Sequence, residues 1–200
     1  MKQQKREWMK RGRMIFMIVC LSFLLGSVGG AVAANLVGHS RREGLALFFQ
    51  EVLGKSGGAS FGYVFWKYFK YDLLIWIGGW MAAGIFLSGC VFLFRSVSLG
   101  FTSAMLMSAY GGKGVLLTIL AVLPQNLLLI PTYVLMMTAA FYYASIWHEN
   151  GIRQKAGKRE KRRKQTEYCI LMGVSLVFIV LATGVEVGLI PGFMAHISFL

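Results

Sequence analysis

The chain has 200 residues, 56% hydrophobic and 14% charged, with a formal net charge of +13. Several apolar runs exceed the roughly 18 residues that suggest a membrane crossing, which excludes a soluble domain with a large core. Such a positive balance points first to nucleic acid, but the charges form two blocks beside apolar runs, a placement that fits cytoplasmic anchoring to anionic lipid headgroups and argues against nucleic acid.

The first block is Lys2, Lys5, Arg6, Lys10, Arg11 and Arg13. An apolar run over about 14–37 follows. Its basic flank and the Ala31-Val32-Ala33 sequence resemble a cleavable signal peptide. The run is long for that role, and Gly26 and Gly30, four residues apart, suit a helix packed permanently in a bundle. A retained first span is therefore expected.

An outer segment comes next, 38–72. Its Lys55-Ser-Gly-Gly-Ala-Ser60 patch reads as a flexible joint. The stretch 61–71 is dense in aromatics, including Trp66 and Tyr68. Such density beside a span predicts an interfacial helix at headgroup level. It serves either as an anchor or as a docking surface for an extracytoplasmic partner.

A second run covers about 73–94 and a short third one 96–110. The apolar tract 114–147 is too long for one comfortable crossing. Pro124, Gln125, Asn126 and Pro131 interrupt it at membrane depth. Proline removes a backbone donor, and an unpaired backbone group in hydrocarbon is costly, so broken helix survives there only against protein or water. A Pro-broken or re-entrant segment is expected near 114–131. The last run is about 168–190. Before it lies the second basic block, with Arg153, Lys155, Lys158, Arg159, Lys161, Arg162, Arg163 and Lys164 in the loop 148–167.

Both basic blocks belong in the cytoplasm, so the number of crossings between them is even. This predicts an all-α polytopic bundle, a single transmembrane domain of about five spans: 14–37, 73–94, 96–110, 127–147 and 168–190. The N-terminus lies inside, the C-terminus outside, and Arg95 at the inner face.

Small residues at Ser96, Gly100, Ala104, Ser108 and Gly112 recur every four positions, giving one smooth helix face. Gly79 with Ala83, Gly84 with Ser88 and Gly184 with Gly188 are similar pairs. Their partner is another helix of the chain or a second copy, so a homo-oligomer stays open. Glu186 reads as the one acid inside an apolar run, and an intramembrane carboxyl is a functional candidate by default. It either pairs with Gln125 or Asn126, or serves a partner or a proton. Cys20, Cys90 and Cys169 form an odd, membrane-embedded set without a disulfide framework. His39, His148 and His196 lack metal-ligand spacing. No phosphate loop, nucleophile elbow or nicotinamide fingerprint occurs, so neither an enzyme nor a cofactor is expected.

Leu99-Gly100-Phe101-Thr102-Ser103, Gly112-Lys113-Gly114-Val115-Leu116-Leu117 and Leu123-Pro124-Gln125-Asn126-Leu127-Leu128-Leu129-Ile130-Pro131, in this order, resemble the stage II sporulation protein M family. The overall plan is similar too, including a last span with Glu186 followed by Pro191. The expected aromatic residue beside Gly112-Lys113-Gly114 is missing. The resemblance implies a membrane protein of endospore formation. It implies a septal scaffold that recruits two cell-wall hydrolases, stage II sporulation proteins D and P, to thin septal peptidoglycan and drive engulfment. The candidate residues for a structural or partner-contact role are Pro124, Gln125, Asn126, Pro131, Glu186, Gly100, Phe101, Trp66 and Tyr68. The competing expectation is a small transporter or channel using the broken helix 124–131 and Glu186, since discontinuous helices form transporter sites.

Overall fold

The computed structural model describes residues 2–37, 44, 60–81, 84–148 and 158–197. These form long helices with short turns and, among the described residues, no strand. The helices are α1 (Lys2–Leu36), α2 (Phe61–Gly78), α3 (Gly84–Leu117), a π segment (Thr118–Val122), α4 (Leu123–His148) and α5 (Lys158–Ile197). Among the described residues, four stretches are long and apolar enough to cross a membrane: 12–36, 84–108, 123–145 and 165–188. Several hydroxyls in and beside them bond within their own helix. Ser22, Thr118, Thr132, Thr138 and Thr183 each donate to the carbonyl four residues earlier, at 2.7 to 2.8 Å. A span can thus carry polar side chains without leaving donors bare in lipid.

Contacts fix the directions of the helices. Phe23 meets Phe92, Gly26 meets Ser96, and Gly30 meets Val97 and Phe101, so α1 and α3 run parallel. The Ser88 hydroxyl donates to the Ile75 carbonyl at 3.0 Å and Tyr71 lies against Phe94, so α2 runs antiparallel to α3. Trp76 stacks on Tyr168, Asp72 meets Ser175 and Tyr68 meets Glu186, so α2 and α5 are also antiparallel. Tyr68 with Gln125, and Gly79 with Ala140, make α2 and α4 parallel. Direction therefore alternates from each helix to the next. The N-terminal ends of α1 and α5, with their basic sequence, share one end of the bundle, called here the basic end.

The α1–α3 seam explains the small-residue face. A Cβ built on Gly100 would stand 1.9 Å from the Ser27 carbonyl oxygen, and one on Gly30 2.1 Å from that of Val97. Backbone meets backbone there, so neither neighbour can yield. Ser96 and Gly100 thus find their partner within the chain, while Gly112, Gly184 and Gly188 face open space. Gly100→Leu should cost about 3 kcal/mol or more, because overpacking against rigid backbone has no relief. Gly29→Leu, on a position with nothing within 4 Å, should cost little. Unfolding of the two purified variants in mixed micelles checks the contrast; equal losses would remove the seam as its cause.

Three expectations about the spans change. The stretch 73–94 is not one helix, because the chain turns at Gly79–Met81. Gly78 and Gly84 face each other there, and a Cβ on Gly84 would lie 2.5 Å from the Gly78 carbonyl oxygen. Gly84 therefore serves a tight hairpin, while Gly79 lets α2 approach Ala140 of α4 and Tyr168 of α5 closely. Second, α3 joins the end of that stretch to 96–110, which moves Arg95 from the inner face to the middle of a span. Third, the break in 114–131 lies upstream of the prolines. Gly111 has φ 54° and ψ −128°, a backbone state that favours glycine. A Cβ on Gly114 would be 2.1 Å from the Leu106 carbonyl oxygen. Eight residues of straight helix would separate those positions by about 12 Å, so the chain folds back at Gly111. The π segment then leads into α4, which holds Pro131 within an unbroken helix. A π turn just before Pro124 is the local adjustment that accommodates a residue without a donor.

Of the outer segment 38–72, residues 38–59 apart from Gly44 lie outside the described residues, as do 149–157 of the loop 148–167. So does Ala83.

Candidate functional site: a polar cluster between α2, α4 and α5

Val64, Tyr68, Asp72 and Ile75 recur at helical spacing on α2, and all four are buried. This stripe faces α4 and α5, so two polar groups enter the bundle with it. At the end away from the basic blocks, the Tyr68 hydroxyl touches Glu186 Oε2 and lies 3.0 Å from Gln125 Oε1. Lys67 Nζ stands 3.1 Å from Glu186 Oε1. The Lys67 side chain is 41% exposed and that of Glu186 12%. The lysine thus reaches outward on its methylene stem while its ammonium meets a nearly buried carboxylate.

A phenol has one proton and serves one acceptor at a time. The carboxylate is the stronger acceptor. With Tyr68 donating to Glu186, the Gln125 amide turned end for end donates to the phenol oxygen. Four side chains from three helices are then mutually satisfied.

Deeper in the bundle lies a second group. The Arg95 guanidinium sits 5.3 Å from the ring centroids of Tyr68, Tyr71 and Tyr133. Among the described residues no carboxylate lies within 4.0 Å of it. Aromatic faces take the place of an anion, an attraction that strengthens away from water. The Tyr133 hydroxyl donates to the Tyr68 carbonyl at 3.1 Å, tying the cage to the first cluster. Asp72 is fully buried. One of its oxygens accepts from the Ser175 hydroxyl, and Oδ1 has no hydrogen-bond partner among the described residues.

Of the residues singled out in the sequence, Tyr68, Gln125 and Glu186 come together. Asn126 instead donates to the Val122 carbonyl of its own helix at 2.7 Å. Pro124 is half-buried beside Gln125, and Pro131 is exposed. Gly100 and Phe101 belong to the α1–α3 seam. Trp66 points outward, 58% exposed, together with Phe61 and Tyr63. Lys67, Asp72, Arg95, Tyr133 and Ser175 escaped the sequence reading. Glu186 is not the sole acid in the bundle, since Asp72 is buried deeper. The spacing from Val64 through Tyr68 and Asp72 to Ile75 was the available signal for Asp72.

The arrangement clamps α2 to α4 and α5 by its polar stripe and leaves its aromatic face free. Neither the curated proteins nor the solved structures include a match to this chain. A family model does match, that of stage II sporulation protein M, over residues 15–194. That span takes in all of α2, α3 and α4 and most of α1 and α5, so the chain belongs to the stage II sporulation protein M family, as a sporulation-related, multi-pass membrane protein.

Proposed function

We propose that this chain is a non-catalytic scaffold that recruits peptidoglycan hydrolases, stage II sporulation proteins D and P, to the sporulation septum for septal thinning and engulfment. The observation that carries the reading is the exposed aromatic face of α2. Tyr63 and Trp66 stand 72% and 58% exposed at one end of the bundle, while the opposite face of the helix is pinned by Tyr68 and Glu186. Large aromatics on a rigid support are the side chains that dominate protein interfaces. The basic blocks hold the other end at a cytoplasmic, anionic surface, which turns the aromatic end outward, where cell-wall enzymes work.

The transport reading drew on a helix broken over 124–131 and on Glu186 as an ion site. The helix α4 is continuous through Pro131, and Glu186 is engaged by Lys67 and Tyr68, so the reading is not favoured.

The test is co-isolation from sporulating cells in mild detergent, using an N-terminal tag. Both hydrolases should accompany the chain well above an unrelated membrane-protein control. A Tyr63→Ser, Trp66→Ser double variant should reach the membrane at normal level and lose at least about tenfold in hydrolase recovery, the size of effect expected for losing a single interface hot spot. Undiminished recovery would remove the aromatic face from the proposal, and absence of the hydrolases from the wild-type sample would remove the scaffold.

A further inference from the structure

We infer that the groove between α1, α3 and α4 holds one acyl chain of an anionic phospholipid, with its phosphate at the basic start of α1. The inference shares with the proposed function only the reading of the basic end as lipid-facing.

The groove is a cavity of about 210 Å³. Ile15, Ile18 and Ser22 of α1 form one wall. Met137 and Phe141 of α4 form the other, and Gly89 and Phe92 of α3 lie between them. A cavity of about 150 Å³ in a protein core already takes a benzene ring, so this one admits a run of several methylenes. Gly89 makes the space. The nearest atom to a Cβ built there is the Met137 methyl, at 3.8 Å, so a larger side chain would grow into the hollow.

The chemistry of the walls selects the occupant. Ser22 is the one polar side chain among them, and its hydroxyl already donates to the Ile18 carbonyl at 2.8 Å. Nothing in the groove asks for a polar partner. Ile18 is 56% exposed, Leu93 44% and Phe141 39%, so the groove opens sideways where the spans meet lipid.

Charge fixes which lipid. Ile15 lies at the end of the groove nearest the basic end of the bundle. Arg13, exposed, precedes it by two residues, and the helix continues back through Arg11 and Lys10. A chain lying in the groove brings its headgroup to the level of these positions along the helix. Each basic residue near an anionic surface contributes about fivefold in binding. A transmembrane helix of another protein is the competing occupant, but it would bring no phosphate to the level of the basic start of α1.

The full-length chain in neutral detergent would be titrated with dioleoyl phosphatidylglycerol or dioleoyl phosphatidylcholine, and retained lipid counted by native mass spectrometry. One phosphatidylglycerol per chain is expected, preferred over phosphatidylcholine by at least about fivefold, the share of a single basic residue. Gly89→Phe should abolish retention of both lipids. Ser22→Phe fills the same hollow from α1 and serves if the first variant fails to fold. An Arg11→Gln, Arg13→Gln variant should keep the site and bind the two lipids alike. Retention unchanged in both filling variants would overturn the groove, even if headgroup selectivity persisted. Selectivity unchanged in the arginine variant would overturn the headgroup assignment while leaving the groove. A second protein chain held in place of lipid, and lost with Gly89→Phe, would overturn the proposal in favour of a helix partner.

Discussion

Replacing Tyr68 by phenylalanine should destabilise the bundle by about 3 kcal/mol, because a nearly buried carboxylate loses the hydroxyl it faces. Hydrogen bonds between membrane helices average only about 0.6 kcal/mol, since neutral groups find other partners in the unfolded reference state. The Tyr68 contact departs from that average for a specific reason. Its acceptor is Glu186, whose side chain is 12% exposed, and the second ligand of that carboxylate is one lysine. Charge-assisted bonds are roughly twice as strong as neutral ones. The Gln125 contact on the same hydroxyl is neutral. Gln125→Leu should therefore cost about 0.6 kcal/mol, several-fold less than Tyr68→Phe. Adding Tyr68→Phe to Glu186→Gln should cost well below the sum of the single losses, because both remove the same contact. Reversible unfolding of the four variants in mixed micelles measures all of this. Equal losses for Tyr68→Phe and Gln125→Leu would show that the carboxylate gives the contact no special weight.

How far the sequence shows this site depends on the kind of signal each residue leaves. Glu186 and Gln125 stand out because a polar side chain in an apolar run has few explanations, and pairing between them and the outer aromatic stretch was within reach. Arg95 also interrupts apolar sequence, yet a lone arginine between two runs reads as a boundary. Only the tyrosine faces on α2 and α4 make it tolerable inside a span, and nothing in its own neighbourhood announces them. Asp72 was hidden by the same assumption, since it falls where an outer segment passes into an apolar run. The turn at Gly79–Met81 and the reversal at Gly111 were both legible as glycines but not as turns. In membrane sequences glycine marks close helix packing as well as chain reversal, and the two are separated only by seeing what a Cβ would strike. At Gly100 it strikes α1, whereas at Gly84 it strikes the preceding turn of the chain. The all-helical character needed none of this, because run length and hydropathy suffice for it.

Removing one wall of the arginine cage should be worse than removing the arginine. A cation at mid-membrane costs about 3 kcal/mol on an insertion scale, and desolvated cation–π contacts return about 2 kcal/mol or more. Arg95→Leu gives up both, so a change within about 1 kcal/mol of wild type is expected. Tyr133→Leu keeps the cation and takes away one of the three rings, each centred 5.3 Å from it. It also deletes the hydroxyl that donates to the Tyr68 carbonyl and opens a hole around a residue only 2% exposed. Truncating a buried aromatic costs about 3–5 kcal/mol by packing alone, somewhat less when leucine refills part of the space. Tyr133→Leu should therefore lose about 4 kcal/mol in all. In the Arg95→Leu background the same substitution should lose about 2 kcal/mol less, because no uncompensated cation remains. Independent sites add within about 0.5 kcal/mol, so a coupling of that size is well outside additivity. Additive losses would mean that the rings pack against the guanidinium without stabilising its charge. In that case Arg95 would be held by its own stem lying along α2, and the tyrosines would be ordinary core.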